Sequence, residues 1–311
     1  MNHYENQQPD PTKFPRYCGI SSFARLKQLN DDDTCDIAVV GIPYDSGVTF
    51  RPGARFGPES IRCASRLIRP YNINHSKSPF KNKIIKDAGD IPCNPFSIHQ
   101  SLNKITNELN LLFKKSSNIV ILGGDHTISY PCLKAMNNKF GKVALLHFDS
   151  HFDTWDEYFG EKCTHGTPFK RALEENLIDV DHSMHVGIHG SINDYCDIEN
   201  DKKLGFKTIF CNEIDEIGIN KIIEKILNRI KNIPCYISID IDCIDPAFAP
   251  GTGTPEPGGM SSRELFTILK GLHSLNTIGG DVVEVSPSYD ANNITSQLAA
   301  NLVFELICLI K

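Results

Sequence analysis

The chain has 311 residues, 40% of them hydrophobic and 23% charged, and 32 Lys and Arg against 38 Asp and Glu give a formal net charge of −6. That length and apolar share suffice for one large α/β domain with a buried core. The acidic balance argues against nucleic acid or an anionic membrane as the main partner, because either needs a basic surface.

Residues 1–20 read as an N-terminal arm and residues 21–311 as a single domain. Met1 to Lys13 is polar and lacks the apolar stretch of a signal peptide. No apolar run approaches the ~20 residues that span a bilayer, so a soluble, cytoplasmic protein is expected. Eleven scattered cysteines, the closest pair being Cys235 and Cys243, form no two-residue-spaced zinc or redox motif and read as free thiols of a reducing compartment. β-branched and apolar runs predict strands at Asp36–Ile42, Ile84–Ala88, Asn118–Leu122, Lys142–Asp149, Met184–Ile188, Thr208–Asn212, Cys235–Asp240 and Asp281–Val285. Helical spacing appears between several of them, at Ser97–Lys115, Glu213–Lys231 and Ser261–Leu272, with the charges of Lys221–Lys231 forming a solvated face. This alternation predicts a mostly parallel sheet covered on both sides. Pro and Gly concentrate at Pro43–Pro58 and Pro246–Gly259, long aperiodic segments of the functional-loop kind. Arg51 and Arg55 in the first offer either an anion contact or, more simply, salt bridges that hold the loop.

Three strand ends carry side chains with metal-binding chemistry. After Val143–Leu146 come Asp149, His151 and Asp153 at every second position, so in an extended segment all three share one face. Asp240 and Asp242 end the run from Tyr236 in the same way, and Gly123-Gly124 lets the backbone turn sharply before Asp125 and His126. Ligand sites of open α/β sheets lie at such carboxyl ends. Four carboxylates at one locus repel unless cations sit among them, and an oxygen-rich set with two imidazoles suits a pair of divalent ions such as Mn²⁺. Two divalent ions sharing one water lower its pKa from near 16 toward ~7. Glu284 lies in the apolar run Val282–Val285, where a carboxylate needs a cationic partner, a protein Arg or Lys or a bound ligand. His147 reads as a packed histidine behind the ligands, and His165, taken alone, as an exposed loop histidine.

Taken together, these motifs resemble the ureohydrolase family, in its agmatinase-like branch. The resemblance runs from about Asp36 to the C-terminus. It includes Phe50-Arg51-Pro52-Gly53-Ala54-Arg55-Phe56-Gly57-Pro58, the Gly-Gly-Asp-His turn, the run from Ser238 to Gly259, and Val283-Glu284-Val285-Ser286-Pro287. It implies a three-layer sandwich with an eight-stranded parallel sheet and two Mn²⁺ per subunit. One ion would be held by His126, Asp149, Asp153 and Asp240, the other by Asp149, His151, Asp240 and Asp242, with Asp149 and Asp240 bridging. Glu284 would receive a substrate guanidinium. His165, in the family's His-Gly-Thr element, would shuttle a proton to the departing amine, Asp153 would relay it, and Thr254 would steady the intermediate. The implied reaction splits a guanidino compound into urea and an amine, with agmatine the first-choice substrate. Guanidinobutanoate and free guanidine are the alternatives, the last with Ni²⁺ in place of Mn²⁺. Asp156, Glu157 and Glu161 lean toward an amine tail, and the loop Trp155–Thr164 resembles the agmatinase branch rather than arginase. Trimers or hexamers are implied. Ser150 and His189 depart from the family's usual Ala and Arg, and by the resemblance bear on substrate fit rather than on metal binding. A one-zinc deacetylase-like hydrolase would not need six ligands, and a non-catalytic descendant would have no reason to keep Glu284.

Overall fold

A computed structural model describes residues 4–5 and 7–311; Met1–His3 and Asn6 of the expected arm lie outside the described residues. Strands β1 (Tyr4–Glu5) and β2 (Gln8–Pro9) pair as a small antiparallel hairpin. The remaining strands are β3 (Cys35–Ile42), β4 (Ile85–Asp90), β5 (Ser116–Gly123), β6 (Ala144–Phe148), β7 (Met184–Ile188), β8 (Lys207–Phe210), β9 (Pro234–Asp240) and β10 (Asn276–Val283). They form one eight-stranded sheet in the order β4-β3-β5-β10-β9-β6-β7-β8. Every neighbouring pair is parallel, so the expected "mostly parallel" sheet is wholly so.

All eight predicted strands are present. The largest boundary difference is in β10, which begins five residues earlier than the predicted Asp281. Its first half contains Gly279 and Gly280, which read as breakers in sequence but are required by packing. A Cβ at Gly280 would lie 2.3 Å from the Ile237 carbonyl, and one at Gly279 would lie 2.6 Å from the Ile119 carbonyl. The predicted helix Glu213–Lys231 is two, α7 (Cys211–Ile217) and α8 (Ile219–Ile230), split at Gly218 with φ 80°. On α8, Ile222, Ile226 and Ile230 are buried while Lys221 and Lys225 pair with Glu224 and Glu213 in solvent.

Both sheet faces are covered. On one lie α1 (Gly57–Ala64), α8, α9 (Ser262–Gly271) and α10 (Ile294–Leu309), against Ile37, Val39, Val120, Leu122, Leu146, Ile237 and Val282. On the other lie α3 (Ile98–Leu112), α4 (Ser129–Phe140) and α5 (Pro168–Glu174), against Ala38, Val40, Ile119, Ile121, Leu145, Tyr236 and Val283. Alternate residues of each strand face opposite layers, and each fully buried aliphatic side chain contributes about 1.5–3 kcal/mol. Helix α9 starts at a capping box: Ser261 Oγ accepts the Glu264 N–H, and Glu264 accepts the Ser261 N–H. Helix α10 is buried nearly all round, so no apolar stripe marks it in the sequence. The single turn α2 (Pro79–Asn82) and α6 (Tyr195–Leu204) complete the set.

The two proline- and glycine-rich segments meet at the rim. Arg55 pairs with Asp45, as the salt-bridge reading expects. Arg51 instead donates from Nε to the Gly253 carbonyl at 3.0 Å, with its guanidinium 4.7 Å from the Tyr289 ring centre. Both arginines therefore brace loops. All eleven cysteines are free thiols, and among the described residues no helix is long and apolar enough to cross a membrane.

Candidate metal centre and active site

Register decides which side chains meet. Phe148 on β6 is level with Ile239 on β9, and Asp240 is level with Val283 on β10. Asp149, Asp240 and Glu284 therefore leave three adjacent strands at nearly one height, and His126 follows β5 on the other side of β10. Gly124 is needed in that turn, because a Cβ there would lie 2.2 Å from the Tyr44 carbonyl. Asp153 and Glu284 adopt φ of 56° and 61°, the left-handed region that costs non-glycine residues energy. Two strained carboxylates at one locus mark a site that the surrounding structure holds in place.

All six sequence-predicted metal-binding residues converge. His126 Nδ1 lies 2.9 Å from Asp153 Oδ2, 3.1 Å from Asp149 Oδ2 and 3.2 Å from Asp240 Oδ2. His151 Nδ1 lies 3.4 Å from Asp149 Oδ1 and 3.2 Å from Asp242 Oδ2. The four aspartates and His126 are buried. Asp242 is fixed by hydrogen bonds from Thr254 Oγ1 (3.1 Å) and Ser150 Oγ (2.8 Å), while Asp149 Oδ1 accepts the His151 N–H at 2.6 Å.

The tautomer of His126 fits a cation. Ser238 Oγ donates to Asp281 Oδ1 at 2.6 Å, so it can only accept from His126 Nε2, 2.9 Å away. Nδ1 then faces three carboxylates, an arrangement that calls for positive charge there, a proton or a metal ion. The charge balance agrees. Burial works against a charge on His126, but hydrogen bonds to Asp149, Asp153 and Asp240 outweigh it and raise its pKa well above the usual value. Burial first, then Asp149, pushes Asp153 up to about 6; burial, Asp242 and Asp149 push Asp240 well up. For Asp149 burial is outweighed by His147, His126 and His151, which hold it well below the ordinary range. The donor set, carboxylates with two imidazoles and no thiolate, suits divalent ions of the Mn²⁺ type. His126, His147, Asp149 and Asp153 offer atoms close enough to share one ion, and Asp149, His151 and Asp242 another. His147 Nε2 is already engaged at 2.7 Å by Asp149 Oδ2, in keeping with a histidine behind the ligands.

Glu284 is buried with Oε1 accepting the His126 N–H at 2.9 Å and lying 3.2 Å from His165 Nδ1. No Lys or Arg pairs with it among the described residues; the basic group beside it is His165. His165 is not an exposed loop residue: its side chain is mostly buried, and its ring lies between Glu284 and Thr49. Nε2 accepts the Thr49 N–H at 3.1 Å and meets Thr49 Oγ1 at 2.8 Å. Burial opposes a charge on this ring, but Glu284 outweighs it and raises the pKa to about 9. A cavity of about 70 Å³ lies over the cluster, walled by Thr49, His165, Thr254, Trp155 and Tyr158, with Asp153 and Asp240 at its base.

Sequence reasoning missed Thr49 and the supporting pair Ser238 and Asp281. The first sits in a loop without periodicity, and the second pair alternates with apolar residues as any strand residue does. Ser150, expected to bear on substrate fit, instead holds Asp242. His189 places Nδ1 2.6 Å from the Gly187 carbonyl and Nε2 3.0 Å from the Glu256 carbonyl, and does not wall the cavity. Asp156 is taken by Arg171 at 2.6 Å.

A parallel α/β sandwich with this acidic, histidine-bearing cavity defines a metal-binding hydrolytic enzyme. The chain belongs to the arginase family, which it matches over residues 35–308, and to its agmatinase-like branch of amidinohydrolases. It is 40% identical to a guanidinobutyrase of Pseudomonas aeruginosa, across 96% of this chain and 94% of that one. It is 39% identical to an agmatinase of Chromobacterium violaceum, across 95% and 90%. Among solved structures, proclavaminate amidino hydrolase from Streptomyces clavuligerus superposes with a TM-score of 0.91 at 38% identity, covering 95% of this chain and 98% of that one.

Chelation should lower the thermal midpoint, and Mn²⁺ at 100 times its Kd should restore about 2.7 kcal/mol of stability per site. Asp242→Asn should shrink that recovery. An unchanged midpoint in the wild-type protein would show that the cluster holds no cation.

Proposed function

We propose that the protein hydrolyses agmatine to putrescine and urea with two Mn²⁺ per subunit, as a cytoplasmic homotrimer or homohexamer whose catalytic domain spans residues 21–311. The observation that carries this reading is Glu284, a buried carboxylate with one oxygen committed to His126 and His165 and no Lys or Arg beside it. Its Oε2 has no hydrogen-bond partner among the described residues and lies on the Gly253 side, 3.8 Å from where a Cβ of Gly253 would stand. A planar guanidinium matches such a carboxylate through paired, charge-assisted hydrogen bonds. Among the described residues no Lys or Arg lines the cavity, which speaks against a carboxylate tail.

His126, Asp149, Asp153 and Asp240 would hold one ion, and Asp149, His151, Asp240 and Asp242 the other. When bound, the pair supplies hydroxide at neutral pH and Lewis acidity at the guanidino carbon. Glu284 holds the substrate cation over the cluster. His165, held protonated beside Glu284, gives its proton to the departing amine nitrogen and regains one through Asp153, the relay nearest the cluster. Thr254, whose hydroxyl donates to Asp242, would steady the intermediate by holding that carboxylate in place. Trp155 and Tyr158, rings 5.9 Å apart, wall the cavity beside these groups. The small cavity supports a second reading, free guanidine, which needs no tail contact and would allow Ni²⁺.

Urea release should be compared across agmatine, guanidinobutanoate, guanidinopropanoate, arginine and guanidine with Mn²⁺- and Ni²⁺-loaded protein. Agmatine with Mn²⁺ is expected to give the highest kcat/KM; a preference for guanidinobutanoate would overturn the amine-tail reading. Glu284→Gln keeps an oxygen for His126 and removes the charge, so kcat/KM should fall about 10²-fold with metal content unchanged. Full activity would make Glu284 a structural residue. His165→Ala should retain both metals and slow turnover by about 10²- to 10⁴-fold; loss of metal instead would identify His165 as a ligand.

A further inference from the structure

Behind Asp149 lies a buried chain of polar groups that the proposed reaction does not use. His147 on β6 and His185 on β7 are level across the two parallel strands, and both are fully buried. Their Nδ1 atoms are 2.7 Å apart, and His147 Nε2 lies 2.7 Å from Asp149 Oδ2. At the far end His185 Nε2 lies 3.2 Å from Asp201 Oδ1 but makes no hydrogen bond, while Asp201 accepts from Thr154 Oγ1 at 3.0 Å. Aromatic rings enclose the pair: Phe169 is 4.4 Å from His147 and Phe206 is 4.3 Å from His185, centre to centre.

One proton on each ring allows the two 2.7 Å contacts to close in one direction only. His147 must donate to the Asp149 carboxylate from Nε2, which leaves its Nδ1 bare and requires His185 to donate from Nδ1. In that assignment His185 Nε2, which makes no hydrogen bond, is left without a donor. The reverse assignment sets a lone pair against Asp149 Oδ2 at 2.7 Å and spends the proton on the poorly aligned contact to Asp201. A buried polar group without a partner is costly and is kept for a reason.

We propose that His185 is a positioning residue for the metal centre: its Nδ1–H fixes the tautomer of His147, which in turn orients Asp149 toward the ions. This rests on the reading of Asp149 as a metal-bridging ligand. Partners behind metal ligands typically contribute about 10- to 100-fold in metal affinity. In calorimetric titration of metal-free protein with Mn²⁺, His185→Leu should weaken binding by about that factor. His185→Gln, whose amide can donate to His147 Nδ1, should restore most of it. Unchanged affinity in the Leu variant, or a Gln variant as weak as Leu, overturns the proposal. Long-range ¹H–¹⁵N spectra of the metal-free wild type should show His147 protonated on Nε2 and His185 on Nδ1, whatever the fate of the variants; any other pair of states overturns it. Asp149→Asn titrated in parallel separates the two readings: wild-type binding of two ions would remove the ligand role, which the tautomers do not depend on.

Discussion

Four buried aspartates within reach of two imidazoles cannot all carry charge in a dry core without cations among them. This excess of negative charge is the constraint on which the rest of the centre depends. It adds to burial in raising the pKa of Asp153 and Asp240, and it accounts for His126 Nδ1 being turned toward the carboxylates by Ser238 and Asp281 and for Thr254, Ser150 and the His151 N–H each fixing one carboxylate oxygen. Each of these groups lowers the freedom of one cluster side chain, the kind of preorganisation by which individually weak oxygen donors can bind a metal ion tightly.

The sheet supplies the geometry. Because β5, β10, β9 and β6 are adjacent and all parallel, their carboxyl ends open on one side, and a single register places candidate ligands from distant parts of the chain at one level. Covering both faces with helices leaves that rim as the place where polar side chains can gather without disturbing the core. The two proline- and glycine-rich loops then roof the rim, one carrying Thr49 and the other Thr254, tied together by Arg51 on the Gly253 carbonyl.

Much of this was legible in the sequence. Every-second-residue spacing at Asp149, His151 and Asp153 carries its own structural meaning, since extended chain puts such residues on one face. The strand runs were equally plain, because fully buried parallel strands are near-continuous apolar segments. What stayed hidden is of two kinds. Helix α10 lacks a polar face and the start of β10 is glycine, so neither shows the pattern that identifies an element. Thr49, Ser238 and His185 act through contacts between segments 38 to 116 residues apart or through one proton's position, and a local pattern does not encode either.

The order of strands has a consequence for how the molecule is made. Residues 35–123 build one part of the sheet and residues 144–210 the other, and β9 and β10, the last strands synthesised, fill the gap between them. Until residues 234–283 have entered, the two parts share no strand pairing, His126 stands apart from Asp149, and Asp240, Asp242 and Glu284 have not arrived. The central slot must therefore stay open while nearly the whole chain emerges, with two hydrophobic strand edges exposed to a wrong partner. The acidic cluster is therefore completed only by that final insertion, when Asp240, Asp242 and Glu284 join Asp149, His151 and Asp153.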